Sequence, residues 1–191
     1  VIVARNSAER ISEVIDEKPD ITSPINAVKE VKDGSVVYDD VCFRYSASGE
    51  KNVLDHINLN IPSGSTVGII GATGSSKSTL VSMMARLYDV SSGSVKIGGV
   101  DVKDYDLRTL RDNVAVVLQK NVLFTGTIKS NLLWGNPNAS DEQIKKAAHL
   151  ACADEFIASI PQKYDSHIDE GGTNVSGGQR QRICIARALL K

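Results

Sequence analysis

Thr66-Val67-Gly68-Ile69-Ile70 runs straight into Gly71-Ala72-Thr73-Gly74-Ser75-Ser76-Lys77-Ser78-Thr79, and this stretch restricts the fold more than any other in the chain. A short run that is apolar throughout reads as a strand buried on both faces. Beyond the loop the period changes, and Leu80, Val81, Met84, Leu87 and Tyr88 mark one face of a helix over Ser78 to Tyr88. A strand, a loop of small residues and a helix, in that order, are the setting of a phosphate-binding loop. Small side chains let the backbone wrap an anion, and several N–H groups converge on it at the helix N-terminus. Lys77 adds a mobile point charge for the β- and γ-phosphates. The Ser78 hydroxyl suits Mg2+. Ser76 stands where such loops usually have glycine. A negative φ there leaves the cradle unstrained, whereas a positive φ costs roughly 1–2 kcal/mol.

The surroundings read as α/β with an attached helical part. Strand formers fill 36–38, 41–45, 53–54 and 57–61, and Pro62-Ser63-Gly64 makes a turn. Gly98-Gly99 between two apolar-alternating runs predicts a two-residue hairpin. Leu107 to Arg111 reads as a short helix and Val114 to Leu118 as a second buried strand. Ser140, with Gln143 three residues on, predicts a capping box. A last helix is expected over Asn174 to Leu190. Residues 1–33 are charged, with a short helical pattern over Ser7 to Ile15 that Pro19 and Pro24 break, and read as a linker.

Lys plus Arg (22) balance Asp plus Glu (23), which argues against a broad basic surface for nucleic acid. Cys42, Cys152 and Cys184 have no CxxC spacing. They read as small apolar fillers in a reducing compartment, without a zinc site. No run reaches the roughly 18 apolar residues of a membrane helix. The chain starts without Met and stops inside a helical pattern at Leu189-Leu190-Lys191, so both ends read as cuts in a longer protein.

Val175-Ser176-Gly177-Gly178-Gln179 opens the last helix. Ser and two glycines at a helix start leave amides open to an anion, which the helix dipole favours. Together with the loop about 100 residues earlier, this segment resembles the signature motif of ATP-binding cassette (ABC) proteins, usually written LSGGQ, with Val175 in place of Leu. The resemblance covers essentially the whole chain. It implies a P-loop NTPase (RecA-like) core with an antiparallel β subdomain and an α-helical signature subdomain, incomplete at the C-terminus, over residues 34–191. It further implies that the helix tip holds the γ-phosphate of ATP bound by a second such domain, identical or not. By the same resemblance Tyr45 stacks on adenine, and Gln119 is the glutamine that touches Mg2+ or its water.

Asn121 to Ile128 resembles the exporter segment that meets the coupling helix of the transmembrane domain. Asp169-Glu170-Gly171-Gly172 resembles the exporter loop before the signature, with glycine in place of its usual Arg. Ala4 to Ile11 and Glu17-Lys18-Pro19 resemble the exporter linker. The resemblance therefore implies an ATPase at the cytoplasmic face of a membrane, driving export. The family's Walker B Asp and Glu and its switch His match nothing here, since His56, His149 and His167 all precede the signature. No catalytic base is assigned, and these 191 residues alone are expected to be inactive. Two other readings stay open: an ABC ATPase that clamps nucleic acid, and a non-hydrolysing half of a paired exporter.

Overall fold

The structure, a computed structural model, describes residues 2–46 and 51–191, with side chains from residue 5 onward. The chain forms two compact units, Val1–Leu107 and Arg108–Lys191.

In the first unit an exposed helix α1 (Ile2–Asp16) leads into an irregular strap. Val28 fastens the strap, donating to Asp104 O (2.8 Å) and accepting from Asp106 N (2.9 Å). Strands β1 (Val36–Phe43), β2 (Leu54–Ile61), β3 (Ser92–Ile97) and β4 (Val100–Asp101) make one sheet in the order β2-β1-β3-β4. Every neighbouring pair is antiparallel. The hairpin is as expected: Gly98 (φ 56°) and Gly99 (φ 80°) occupy the left-handed region that a tight two-residue turn needs. Tyr38, 2% exposed, donates its hydroxyl to Leu80 O (2.7 Å) and so ties β1 to helix α2 (Lys77–Met84). Burial pushes its phenol pKa up.

Two expectations fail here. Residues 66–70 form no strand, and Ile70 is 99% exposed. A run apolar on both faces needs neighbours on both edges, and no described strand pairs with it. Helix α2 ends at Met84, short of Tyr88, because Arg86 turns into the left-handed region (φ 47°). Its buried residues are Thr79 and Met83, not the predicted face, and Leu87 and Tyr88 are exposed.

The second unit is helical. It holds α4 (Ile128–Leu133), α5 (Asp141–Leu150), α6 (Asp154–Ser159) and α7 (Gly177–Leu189), preceded by α3 (Leu107–Asn113), which begins at the unit boundary. A small antiparallel pair, β5 (Gly126–Thr127) with β6 (His167–Ile168), completes it. Ile128, Leu132, Ile144, Ile157, Ile168 and Ile183 lie at the centre of its core. The Ser140 capping box forms as read: Ser140 Oγ accepts from Gln143 N (3.3 Å), and Ser140 N donates to Gln143 Oε1 (2.8 Å).

Val114 to Leu118, expected as a buried strand, is irregular, with Leu118 58% exposed and no described strand beside it. Of the three cysteines, Cys42 and Cys184 are buried as expected, but Cys152 is exposed, in a left-handed turn (φ 53°) just after α5. No described helix is long and apolar enough to cross a membrane.

Candidate functional site

Gly71 to Ser75 are exposed, and Ser76 and Lys77 half-exposed, so the loop faces solvent. Gly74 has φ 84° with open space where a Cβ would stand, and a Cβ on Gly71 would fall 2.5 Å from Ser75 Oγ. Position 74 wants glycine for its conformation, whereas at Gly71 the neighbour is a serine hydroxyl that can rotate away. Ser76 sits at φ 62°, ψ 18°, and its side chain makes no cap to α2. The open question at this position is therefore answered: the loop requires the left-handed region, and Ser76 accepts the strain. Lys77 Nζ folds back onto the loop, donating to Gly71 O (2.8 Å), Ala72 O (2.7 Å) and Ser75 Oγ (3.1 Å). These bonds hold a positive charge at the mouth of an open amide loop. Thr73 lies in the exposed turn, and Ser78 is exposed in the first turn of α2.

Thr79 is different. It is 6% exposed, and its Oγ1 lies 2.8 Å from the Tyr45 hydroxyl. The fold thus brings Tyr45, just beyond β1, onto the loop's own helix. Tyr45 stands edge-on to Phe43 (centroids 4.9 Å apart, 82°) and to Tyr88 (5.2 Å, 87°) while 58% exposed. Aromatic edges fix the ring's orientation without covering its surface.

In the second unit, α7 starts at Gly177 rather than Asn174, because Ser176 has an extended backbone and caps it. Ser176 Oγ accepts from Gln179 N (3.2 Å), and Gln179 Oε1 accepts from Ser176 N (2.9 Å). Ser176, Gly177 and Gly178 are exposed, and a Cβ on either glycine would meet nothing within 4 Å. First-turn amides have no intrahelical acceptor, so this tip is an open, partly positive surface. Half-buried Val175 packs on the unit's core and anchors the tip. Behind it, Arg180 donates to Gly171 O (2.8 Å). Gly171 and Gly172 have φ of 68° and 69°, and a Cβ on Gly172 would lie 3.2 Å from Leu123 Cδ1. Whichever of the two stands where the family usually has Arg, an Arg there would sit at positive φ.

Residues 54–191 match the ABC transporter family. The chain belongs to that family. Curated ABC relatives align along nearly all of it. The uncharacterized ABC transporter ATP-binding protein YknV of Bacillus subtilis is 39% identical over 100% of this chain. ABC transporter B family member 21 of Arabidopsis thaliana is 42% identical over 97%. The chain spans only 31% and 14% of those two proteins. Among solved structures, a bacterial Atm1-family ABC exporter with ATP bound matches 96% of this chain with TM-score 0.88 and 34% identity; the chain covers 32% of it. The ABC fold of that structure is the α/β P-loop NTPase arrangement, to which the antiparallel sheet and the helical signature part of this chain correspond.

Gln119 of this ABC domain lies in an exposed bend. The segment after it is held by Asn131, a fully buried residue the sequence reading passed over. Asn131 Oδ1 accepts from Phe124 N (2.8 Å), and its Nδ2 donates to Phe124 O (2.8 Å) and Thr127 O (3.0 Å). Nothing in Ile128-Lys129-Ser130-Asn131-Leu132-Leu133 sets this amide apart from the two polar residues before it. The Phe124 ring lies against Trp134, centroids 4.9 Å apart, and both stay largely exposed.

Proposed function

We propose that this chain is the ATP-binding part of an ABC exporter, over residues 34–191 with residues 1–33 as the linker from a transmembrane domain. It works at the cytoplasmic face of a membrane, paired with a second nucleotide-binding domain. One observation carries the reading. It is the presence of two solvent-facing features of complementary kinds, a lysine-bearing amide loop and a glycine-bearing helix tip. Anions prefer such amide clusters because convergent N–H dipoles replace hydration at little reorganisation cost.

In this reading Gly71 to Ser75 cradle the phosphates by their amides, Ser76 keeps its N–H in the cradle, and Lys77 exchanges loop carbonyls for phosphate oxygens. Thr79 acts through its bond to Tyr45, which presents a ring face to adenine. Stacking gives affinity with little base selectivity. Ser176, Gly177 and Gly178 face the nucleotide held by the partner domain, with Val175 and Gln179 fixing the tip. The residues present fit a magnesium ion: Ser78 is an exposed hydroxyl on the first turn of α2, the hard oxygen donor that ion takes. The role of Gln119 as a contact to it rests on the family resemblance. When bound, Mg2+ neutralises phosphate charge. Phe124 and Trp134 belong to the surface we assign to the transmembrane domain's coupling helix.

The test uses the full-length protein in vesicles. Lys77→Ala and Gly177→Asp should each lower ATP hydrolysis by about 100-fold or more, and each should abolish ATP-dependent crosslinking of two nucleotide domains. Wild-type crosslinking by Gly177→Asp, which puts a carboxylate at the tip, would overturn the reading.

A further inference from the structure

We infer that β1 and β2 carry a site for a divalent transition metal of the zinc class, built from Cys42, Asp55 and His56. One donor atom from each lies within 4.8 Å of the other two. Cys42 Sγ is 3.9 Å from Asp55 Oδ1. Donors on one tetrahedral zinc stand about 3.5 Å apart, so the three must draw together by roughly an ångström to share one ion.

The local fold explains how they meet. Consecutive residues of a regular strand point to opposite faces, and Asp55 and His56 could not then serve one thiol. Here the β1–β2 register shifts twice, between Tyr38 and Val41 and between Val41 and Phe43. At the shifts two non-glycine residues, Asp40 (φ 51°) and His56 (φ 48°), take left-handed backbone. The kink at His56 brings its backbone N–H to Cys42 Sγ (3.3 Å) and leaves both neighbouring side chains on the thiol's side.

The outer groups are in place. Asp40 Oδ1 lies 2.7 Å from His56 Nδ1, which leaves Nε2 for the ion and makes Asp40 the carboxylate support that metal-bound imidazoles have. Asn52 Nδ2 donates to Asp55 Oδ1 (2.7 Å) and orients that carboxylate. Cys42 is buried while Asp55 and His56 are exposed, so an ion enters from solvent and meets the thiol last. On coordination Cys42 gives its proton to water.

Thiolate, imidazole and carboxylate together suit zinc rather than magnesium, which takes oxygen donors. The site is thus chemically separate from the nucleotide's own ion. Three protein donors leave a position for water, the mark of an exchangeable ion rather than a closed structural one. Linear spacing hides it, since the donors meet only across the bulged strands.

The full-length protein, stripped with chelator and equilibrated with buffered Zn2+, should retain one zinc per chain. With Co2+ it should show a thiolate-to-metal charge-transfer band. Cys42→Ser should abolish the band. His56→Asn, which keeps a residue tolerant of positive φ, should weaken Zn2+ binding by roughly ten-fold or more while leaving ATP binding intact. Should Cys42→Ser fail to fold, His56→Asn and Asp55→Asn decide. Absence of retained zinc in the wild type, or zinc affinity and a Co2+ spectrum unchanged in the variants, would overturn the site.

Discussion

Ser76 shows how far one residue type predicts its own backbone. Its identity left two conformations open, and the loop imposed the costly one, φ 62°. A serine in this region costs about 1–2 kcal/mol, and glycine removes that cost but loses about 0.5–1 kcal/mol through the freer unfolded chain. Ser76→Gly should therefore stabilise the protein by about 0.5–1 kcal/mol, read as a higher urea midpoint at unchanged slope. An equal or lower midpoint would mean that Ser76 does not bear this strain in solution. Gly74 and Lys77 were legible from the sequence because what they do is local: a turn, and a side chain that reaches its own loop. Thr79 was not. Its burial and its bond to Tyr45 join residues 34 apart in sequence, which no local pattern records.

Elements closed by their own residues were read correctly: the Ser140 box, the Gly98-Gly99 turn and the short helix begun at Leu107. Those that depend on distant partners were not, as the missing strand at 66–70 shows, and the early stop of α2 at Arg86, which donates to Thr22 O and Lys103 O. Asn131 lies between these cases. From a fully buried amide it joins α4 to Phe124 by two hydrogen bonds and holds the Thr127 carbonyl by a third. Asn131→Leu keeps the volume but strands the Phe124 backbone groups, and should cost about 2–3 kcal/mol. A loss below 1 kcal/mol in denaturant titration would mean that solvent reaches those groups.

A gentler link joins α5 to α6. His149 Nδ1 lies 2.7 Å from Asp154 Oδ2, and that hydrogen bond, then the carboxylate's charge, raises the imidazole pKa. The same bond leads the causes that lower the Asp154 pKa. For the raised imidazole, the stabilisation is complete below the ordinary histidine range and fades as pH rises through the raised value. For the lowered carboxylate it is present above the ordinary aspartate range and fades as pH falls through the lowered value. The link is thus strongest between those limits. In an NMR titration His149 should titrate above an ordinary histidine, and Asp154→Asn should bring it back. An unshifted midpoint in the wild type would remove the link.

At the scale of the whole chain, each unit has its own core, and each also carries an apolar run that pairs with no described strand. Val67 (45% exposed), Ile69 (39%) and Ile70 (99%) lie in the first, and Val117 (38%) and Leu118 (58%) in the second. Unpaired runs of strand formers template association through free backbone groups. A formal net charge of -1 supplies almost no repulsion against it. The 191-residue chain should therefore self-associate reversibly, with light scattering rising with concentration. Amides at 66–70 and 115–118 should exchange hydrogen quickly at low concentration and more slowly as association proceeds, while β1 and α7 stay protected throughout. Ile70→Lys and Leu118→Lys put charge on the two runs without touching either core, so they should reduce the scattering and leave the protected amides unchanged. A chain that stays monomeric and protects both runs would show that the runs are paired within the chain, as core and not edge.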